Sequence, residues 1–179
     1  MPAMKNTIVS RLHVTAARPR GHRGRLLYCG RSRPCALGAA GLRLRKREGD
    51  GATPIGRWPL RAVLFRPDRL SPPRTGLPLY EISRDDGWCD DPADHCYNRP
   101  VAMPCSARAE SLWREDHLYD IVVLLGHNDA PPVPGRGSAI FFHLAGPGYP
   151  PTAGCVAVSL TDMRTILEHC GPRTVMTVG

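Results

Sequence analysis

The segment Ser138–Ser159, SAIFFHLAGPGYPPTAGCVAVS, decides how the rest of the chain is read. It opens with a short apolar run, Ala139 to Phe142, of the length expected for a buried strand. His143 ends that run, a Gly/Pro loop follows, and Thr152-Ala153-Gly154-Cys155 leads into a second apolar run. A histidine and a cysteine are thereby delivered to the two mouths of one loop. Acyl chemistry by a thiol needs this pair. The thiolate attacks a carbonyl, and the imidazole removes the thiol proton and later handles the proton of the leaving amine. Gly154 lacks a Cβ, which lets a substrate carbonyl approach the amides of Gly154 and Cys155, the candidates for an oxyanion hole. On spacing alone a plainer reading stands beside this one. A cysteine after a glycine is commonly a small buried hydrophobe, and a histidine at a strand end is commonly a satisfied polar residue.

The stretch resembles the active-site signature of the YkuD-type L,D-transpeptidases: a His, a loop, then Ser/Thr-His-Gly-Cys. The matching positions are His143 and Thr152-Ala153-Gly154-Cys155. Ala153 stands where the family usually has a second histidine, and Ala157 where Asn or Arg is common. Three more blocks are similar to a short stand-alone branch of the family. They are Lys46 to Gly56 (KREGDGATPIG), Trp88 to Val101 (WCDDPADHCYNRPV) and Pro134 to His143 (PGRGSAIFFH). The resemblance covers roughly residues 40 to 179. It implies a mainly β, sandwich- or barrel-like catalytic domain over 41–179, with residues 1–40 as basic N-terminal strands that join it or lead into it. It also implies Cys155 as nucleophile, His143 as base and then acid, and a backbone carbonyl near Thr152 as the group that fixes the His143 tautomer. An ion pair between Cys155 and His143 is expected at rest, since a neighbouring imidazolium lowers a thiol's pKa.

The implied substrates are peptidoglycan stem peptides, one as acyl donor and one as amine acceptor. Acylation by carbapenems and a place in the periplasm or cell envelope are implied with them. No cofactor and no metal are expected. Tyr97, Asn98, Arg99, His127, Asn128 and Arg136 are the candidates for substrate contact, the arginines because a guanidinium binds carboxylates bidentately. Two other readings stay open: an L,D-carboxypeptidase, in which water resolves the same thioester, and a non-catalytic basic module that binds cell wall or nucleic acid and uses Cys155 only structurally.

Composition bounds these readings. The chain has 179 residues, 42% hydrophobic and 22% charged, which suits one globular domain with its own core. No run approaches a membrane span. The start is polar and arginine-rich and shows no export-signal pattern, although the implied function requires export. The net charge is +8. Arginines crowd the first third with no zinc finger, basic zipper or aromatic RNA-binding signature, so a solvated basic face is expected rather than a nucleic-acid surface. Of seven cysteines, Cys155 is expected to be reduced and exposed, the thiol most readily titrated. Cys89 and Cys96 bracket a tight loop suited to a disulfide. A zinc site of Cys89, His95 and Cys96 lacks the usual paired spacing.

Along the chain, strands are expected at Thr7 to Val14, Arg25 to Cys29, Arg57 to Phe65, Leu79 to Ser83, His117 to Leu125, Ala139 to His143, Val156 to Val158 and Thr174 to Val178. A hairpin turn is expected at Gly30 to Pro34, and a long loop at Asp85 to Pro104. Ala107 to Arg114, capped by Ser106, reads as a short helix. A second helix should start at Ser159, with Asp162 near its positive end. Leu160, Met163, Ile166 and Leu167 form its core face, and Gly171-Pro172 its stop. Trp58 and Trp88 are expected to pack rather than to bind sugar.

Overall fold

The computed structural model describes residues 8–179, so Thr7 lies outside the described residues. Fourteen strands and one helix follow in chain order: β1 (Arg11–Ala16), β2 (Arg23–Tyr28), β3 (Arg31–Ala36), β4 (Leu42–Arg43), β5 (Thr53–Pro54), β6 (Gly56–Phe65), β7 (Leu79–Glu81), β8 (Asp86–Cys89), β9 (Pro100–Ala102), β10 (Ala109–Ser111), β11 (Ile121–Leu125), β12 (Phe141–Leu144), β13 (Val156–Val158), α1 (Leu160–Leu167) and β14 (Val175–Val178). The fold is mainly β, as the sequence implies.

The main sheet has nine strands in the order β11-β12-β13-β3-β2-β1-β14-β6-β7, and β11 also pairs with β6. That extra pairing closes the sheet into a barrel-like ring, with β7 as a branch from β6. The length of β6 makes closure possible. Its first residues, Gly56 to Pro59, pair with β14, and Leu60 to Phe65 pair with β11. Strands from the first forty residues sit in the middle of this sheet, between β13 and β14. Side chains on β2 alternate strictly, with Gly24, Leu26 and Tyr28 buried and Arg23, Arg25 and Leu27 exposed, as a strand with one wet face requires.

The β2–β3 hairpin turns one residue earlier than Gly30 to Pro34 suggests. Tyr28 pairs with Arg31, and the two-residue loop is Cys29-Gly30, with φ of 47° and 69°. Both positive values are what a type I′ turn demands, and that turn matches the twist of the strands it joins. Arg31 to Pro34 therefore lie in β3.

Two other expectations are corrected. Residues 107–114 are not helical: Ala109–Ser111 is strand β10, antiparallel to β8, with Glu110 opposite Trp88. Helix propensity is a weak prior, and here strand pairing and a bond from the Tyr119 hydroxyl to Glu110 (2.7 Å) prevail. The long loop at 85–104 likewise contains β8 and β9, which with β10 make a second, three-stranded sheet in the order β10-β8-β9.

The helix α1 begins as its sequence dictates. The Ser159 hydroxyl accepts from the Asp162 amide at 3.1 Å, and Arg33 Nε sits 2.9 Å from the Asp162 carboxylate. Met163, Ile166 and Leu167 are fully buried against the main core, but Leu160 is 38% exposed and does not join them. That core holds Phe142, Leu144, Val156, Val158 and Val123. A smaller core lies on the opposite face of the same strands and holds Val122, Phe141, Tyr119, Ile82, Leu112 and Cys155.

Candidate active site

The two-residue repeat of a strand decides which side chains meet. On β12, Phe142 and Leu144 point into the main core, so Phe141 and His143 point the other way. On the neighbouring β13, Val156 and Val158 take the main core, leaving Cys155 and Ala157 on the opposite face. The two strands are parallel with His143 opposite Ala157. His143 and Cys155 thus share one face of adjacent strands and line one cavity of about 490 Å³. That volume is typical of a small-ligand site.

Cys155 is only 6% exposed, contrary to the exposed thiol expected from its place at a loop mouth. Its Sγ accepts from the Phe141 amide at 3.3 Å and donates to the Ala139 carbonyl at 3.2 Å. Burial pushes the thiol up to about 12. Burial also dominates at His143, lowering it to about 4 against the opposing effect of the Leu144 carbonyl. Burial therefore favours the neutral form of each group, against the resting ion pair expected from the sequence. Desolvation is the largest influence on each group and penalises its charged form. The tautomer of His143 is fixed by a carbonyl, but by that of Leu144 rather than one near Thr152. Nδ1 donates to Leu144 O at 2.8 Å, which makes Nε2 the unprotonated nitrogen of the neutral ring. The Tyr119 ring packs edge-on against the imidazole, with centroids 5.2 Å apart.

Thr152 has a different task. Its hydroxyl donates to the Cys155 carbonyl at 2.7 Å and accepts from the Gly154 amide at 3.1 Å, so it sets the bend that enters β13. With the Gly154 amide engaged, the Cys155 amide is the remaining candidate for an oxyanion. Gly154 has φ of 142°, and a Cβ there would lie 2.8 Å from the Ala52 carbonyl. Its missing side chain therefore makes room for residues 46–56 rather than for a substrate. That segment locks onto the same bend: Thr53 Oγ1 accepts from the Gly38 amide at 2.8 Å and lies 3.5 Å from the Cys155 carbonyl. Lys46 is buried and paired with Asp50, and it reaches the cavity wall.

The six residues singled out for substrate contact lie elsewhere: none lines the cavity with Cys155 and His143. Asn98 is a buried clamp. Its Oδ1 accepts from Trp88 Nε1 and the Ala139 amide, and its Nδ2 donates to the His127 and Asn128 carbonyls. Tyr97 donates to Glu48 and accepts from the Gly137 amide. Asn128 donates to Val133 O and Gly137 O, bracing residues 128–137. His127 is buried, with Nε2 3.0 Å from the Arg136 carbonyl and its ring edge-on to Trp58. His127, Asn128 and Arg136 line a separate cavity of about 590 Å³ with Trp58 and Lys46. Arg99 is exposed. Through Asn98 and Ala139, this network holds the start of β12, against which the Cys155 thiol rests.

The sequence reading missed the charged wall of the catalytic cavity: Lys46, Glu48, Asp90, Arg108, Glu110 and Arg114. Lys46 and Glu48 were legible as part of a family-like block. Glu110 and Arg114 were hidden by the helix assignment. All seven cysteines are free thiols, Cys89 and Cys96 included. Asp94, His95 and Cys96 bring one ligand atom each within 4.8 Å of one another, a grouping that does not include Cys89.

Fold and site together define a closed β-sheet domain carrying a buried cysteine and histidine in one charged cavity. The YkuD family model, described as the L,D-transpeptidase catalytic domain, matches residues 22–178, and the chain belongs to that family. No curated protein and no solved structure matches the chain significantly. Among the described residues no helix is long and apolar enough to cross a membrane.

Proposed function

We propose that this protein is a peptidoglycan L,D-transpeptidase of the cell envelope. Cys155 attacks the carbonyl of the third residue of a stem tetrapeptide as His143 Nε2 takes the thiol proton. Because both groups rest neutral, charge separates only as the tetrahedral intermediate forms, and the Cys155 amide faces the developing oxyanion. The intermediate collapses to a thioester, His143 returns the proton to the departing amine, and D-Ala leaves. An amine of a second stem peptide then attacks the thioester. His143 accepts its proton, and the thiolate leaves and is reprotonated, giving a crosslink. Water in place of the amine would give the carboxypeptidase outcome from the same intermediate.

The observation that carries the reading is the convergence of Cys155 and His143 on one cavity from adjacent parallel strands, within a chain of the YkuD family. Incubation with a carbapenem or a stem tetrapeptide should add the mass of the acyl group to the peptide containing Cys155. Cys155→Ala should abolish both adduct and crosslinking. Crosslinking by the variant equal to wild type would refute the assignment.

A further inference from the structure

We propose that the Glu110 carboxylate is the binding site in this cavity for a primary ammonium group of the substrate. The proposal rests on the transpeptidase reading, whose substrates carry such groups both on the acyl donor and on the acceptor.

The cavity wall holds three carboxylates, and two are already engaged. Asp90 is paired with Arg108 at 2.9 Å. Glu48 is bonded through Oε2 by the Tyr97 and Ser138 hydroxyls and through Oε1 by the Gly49 amide. Glu110 differs. Its two contacts, Tyr119 OH at 2.7 Å and Arg114 Nη1 at 3.6 Å, both fall on Oε1, leaving Oε2 for a ligand. Arg114 neutralises it weakly, because that guanidinium is forked onto Asp116 at 2.6 and 2.9 Å. A negative charge here works against the nucleophile, adding to the burial that already raises the Cys155 thiol. A cation bound at Oε2 would remove that opposition when substrate arrives. Tyr119 holds the carboxylate with its hydroxyl and the His143 imidazole with its ring, which fixes an ammonium site in relation to the reacting groups.

The ammonium could belong to the side chain of the donor's diamino acid or to the acceptor. The test compares wild type with Glu110→Gln, which keeps an acceptor oxygen for Tyr119. Acylation of Cys155 is followed by mass spectrometry with tetrapeptides whose side-chain amine is free or acetylated, and the partition of the acyl-enzyme between amine and water is measured. A drop of at least about tenfold in the preference for the free amine during acylation, the loss of one charge-assisted hydrogen bond, places the site on the donor. The same drop in amine-over-water partition places it on the acceptor. Both ratios unchanged in the variant overturn the proposal. A second measurement needs no variant: an alkyl diamine should slow acylation of the wild-type protein and the matching diol should not, and equal inhibition by the two overturns it. If no donor acylates wild-type Cys155, the transpeptidase reading itself fails, and the Glu110 assignment then stands or falls on calorimetric binding of the diamine against the diol.

Discussion

The neutral resting state of Cys155 and His143 has a consequence for thiol reactivity that can be put in numbers. An unperturbed thiol with a pKa near 8.5 is about 3% thiolate at pH 7. With its thiol at about 12, Cys155 is thiolate only to roughly one part in 10⁵ at the same pH. Since the thiolate is the nucleophile, alkylation of Cys155 by iodoacetamide should run about three orders of magnitude below that of a free cysteine at pH 7. Its rate should climb about tenfold per pH unit from pH 6 to 10, without a plateau. Quenched time points with peptide mapping give the rate at each cysteine separately. Cys29, which is exposed, and Cys96 and Cys105, which are partly so, should be modified first. A rate at Cys155 that is fast and flat between pH 5 and 8 would refute the reasoning, because it would require a thiolate–imidazolium pair in the resting protein.

Two further outcomes follow from the same geometry. His143→Gln should slow acylation of Cys155 by about 10² or more, the usual scale for lost acid–base help, while leaving alkylation at pH 7 nearly unchanged; a parallel fall in alkylation would again point to a resting ion pair. Gly154→Ala forces a side chain into a backbone conformation with φ of 142°, with its Cβ 2.8 Å from the Ala52 carbonyl. Strain of this kind costs about 1–3 kcal/mol, so Tm should fall by roughly 2–12 °C in thermal unfolding, and an unchanged Tm would contradict the packing described.

What was legible in the sequence was local. The Ser159 cap, the run at β13 and the three buried helix residues each carry their own signal within a few positions. His143 and Cys155 were found because a strand, a loop and a strand put them close along the chain. The small sheet of β8, β9 and β10 was not legible, because strands of three or four residues carry little periodicity and pair through partners that spacing does not name. Losing β10 to a helix also hid Glu110, whose place in the cavity depends on lying opposite Trp88 and on its bond from the Tyr119 hydroxyl. The resting charge state is not legible in the sequence for a related reason. Proximity of Cys and His argues for ionisation, but burial argues against it, and burial belongs to the folded molecule rather than to a motif. The six polar candidates for substrate contact show the converse: in sequence a buried asparagine that satisfies four backbone and side-chain partners looks the same as one that meets a ligand.

The pairing of β1 with β14 bears on how the protein is made. These strands lie side by side and parallel, from Arg11 beside Val175 to Val14 beside Val178, so the residues that β1 pairs with are made 164 positions later along the chain. Until those residues are free, β1 can form only its hairpin with β2, and the ring stays open beside it. Contacts this distant along the chain make for slow folding. During synthesis the ring therefore stays unsealed until β14 has been made, with one bare strand edge exposed in the meantime to whatever chaperone, transporter or neighbouring chain reaches it first.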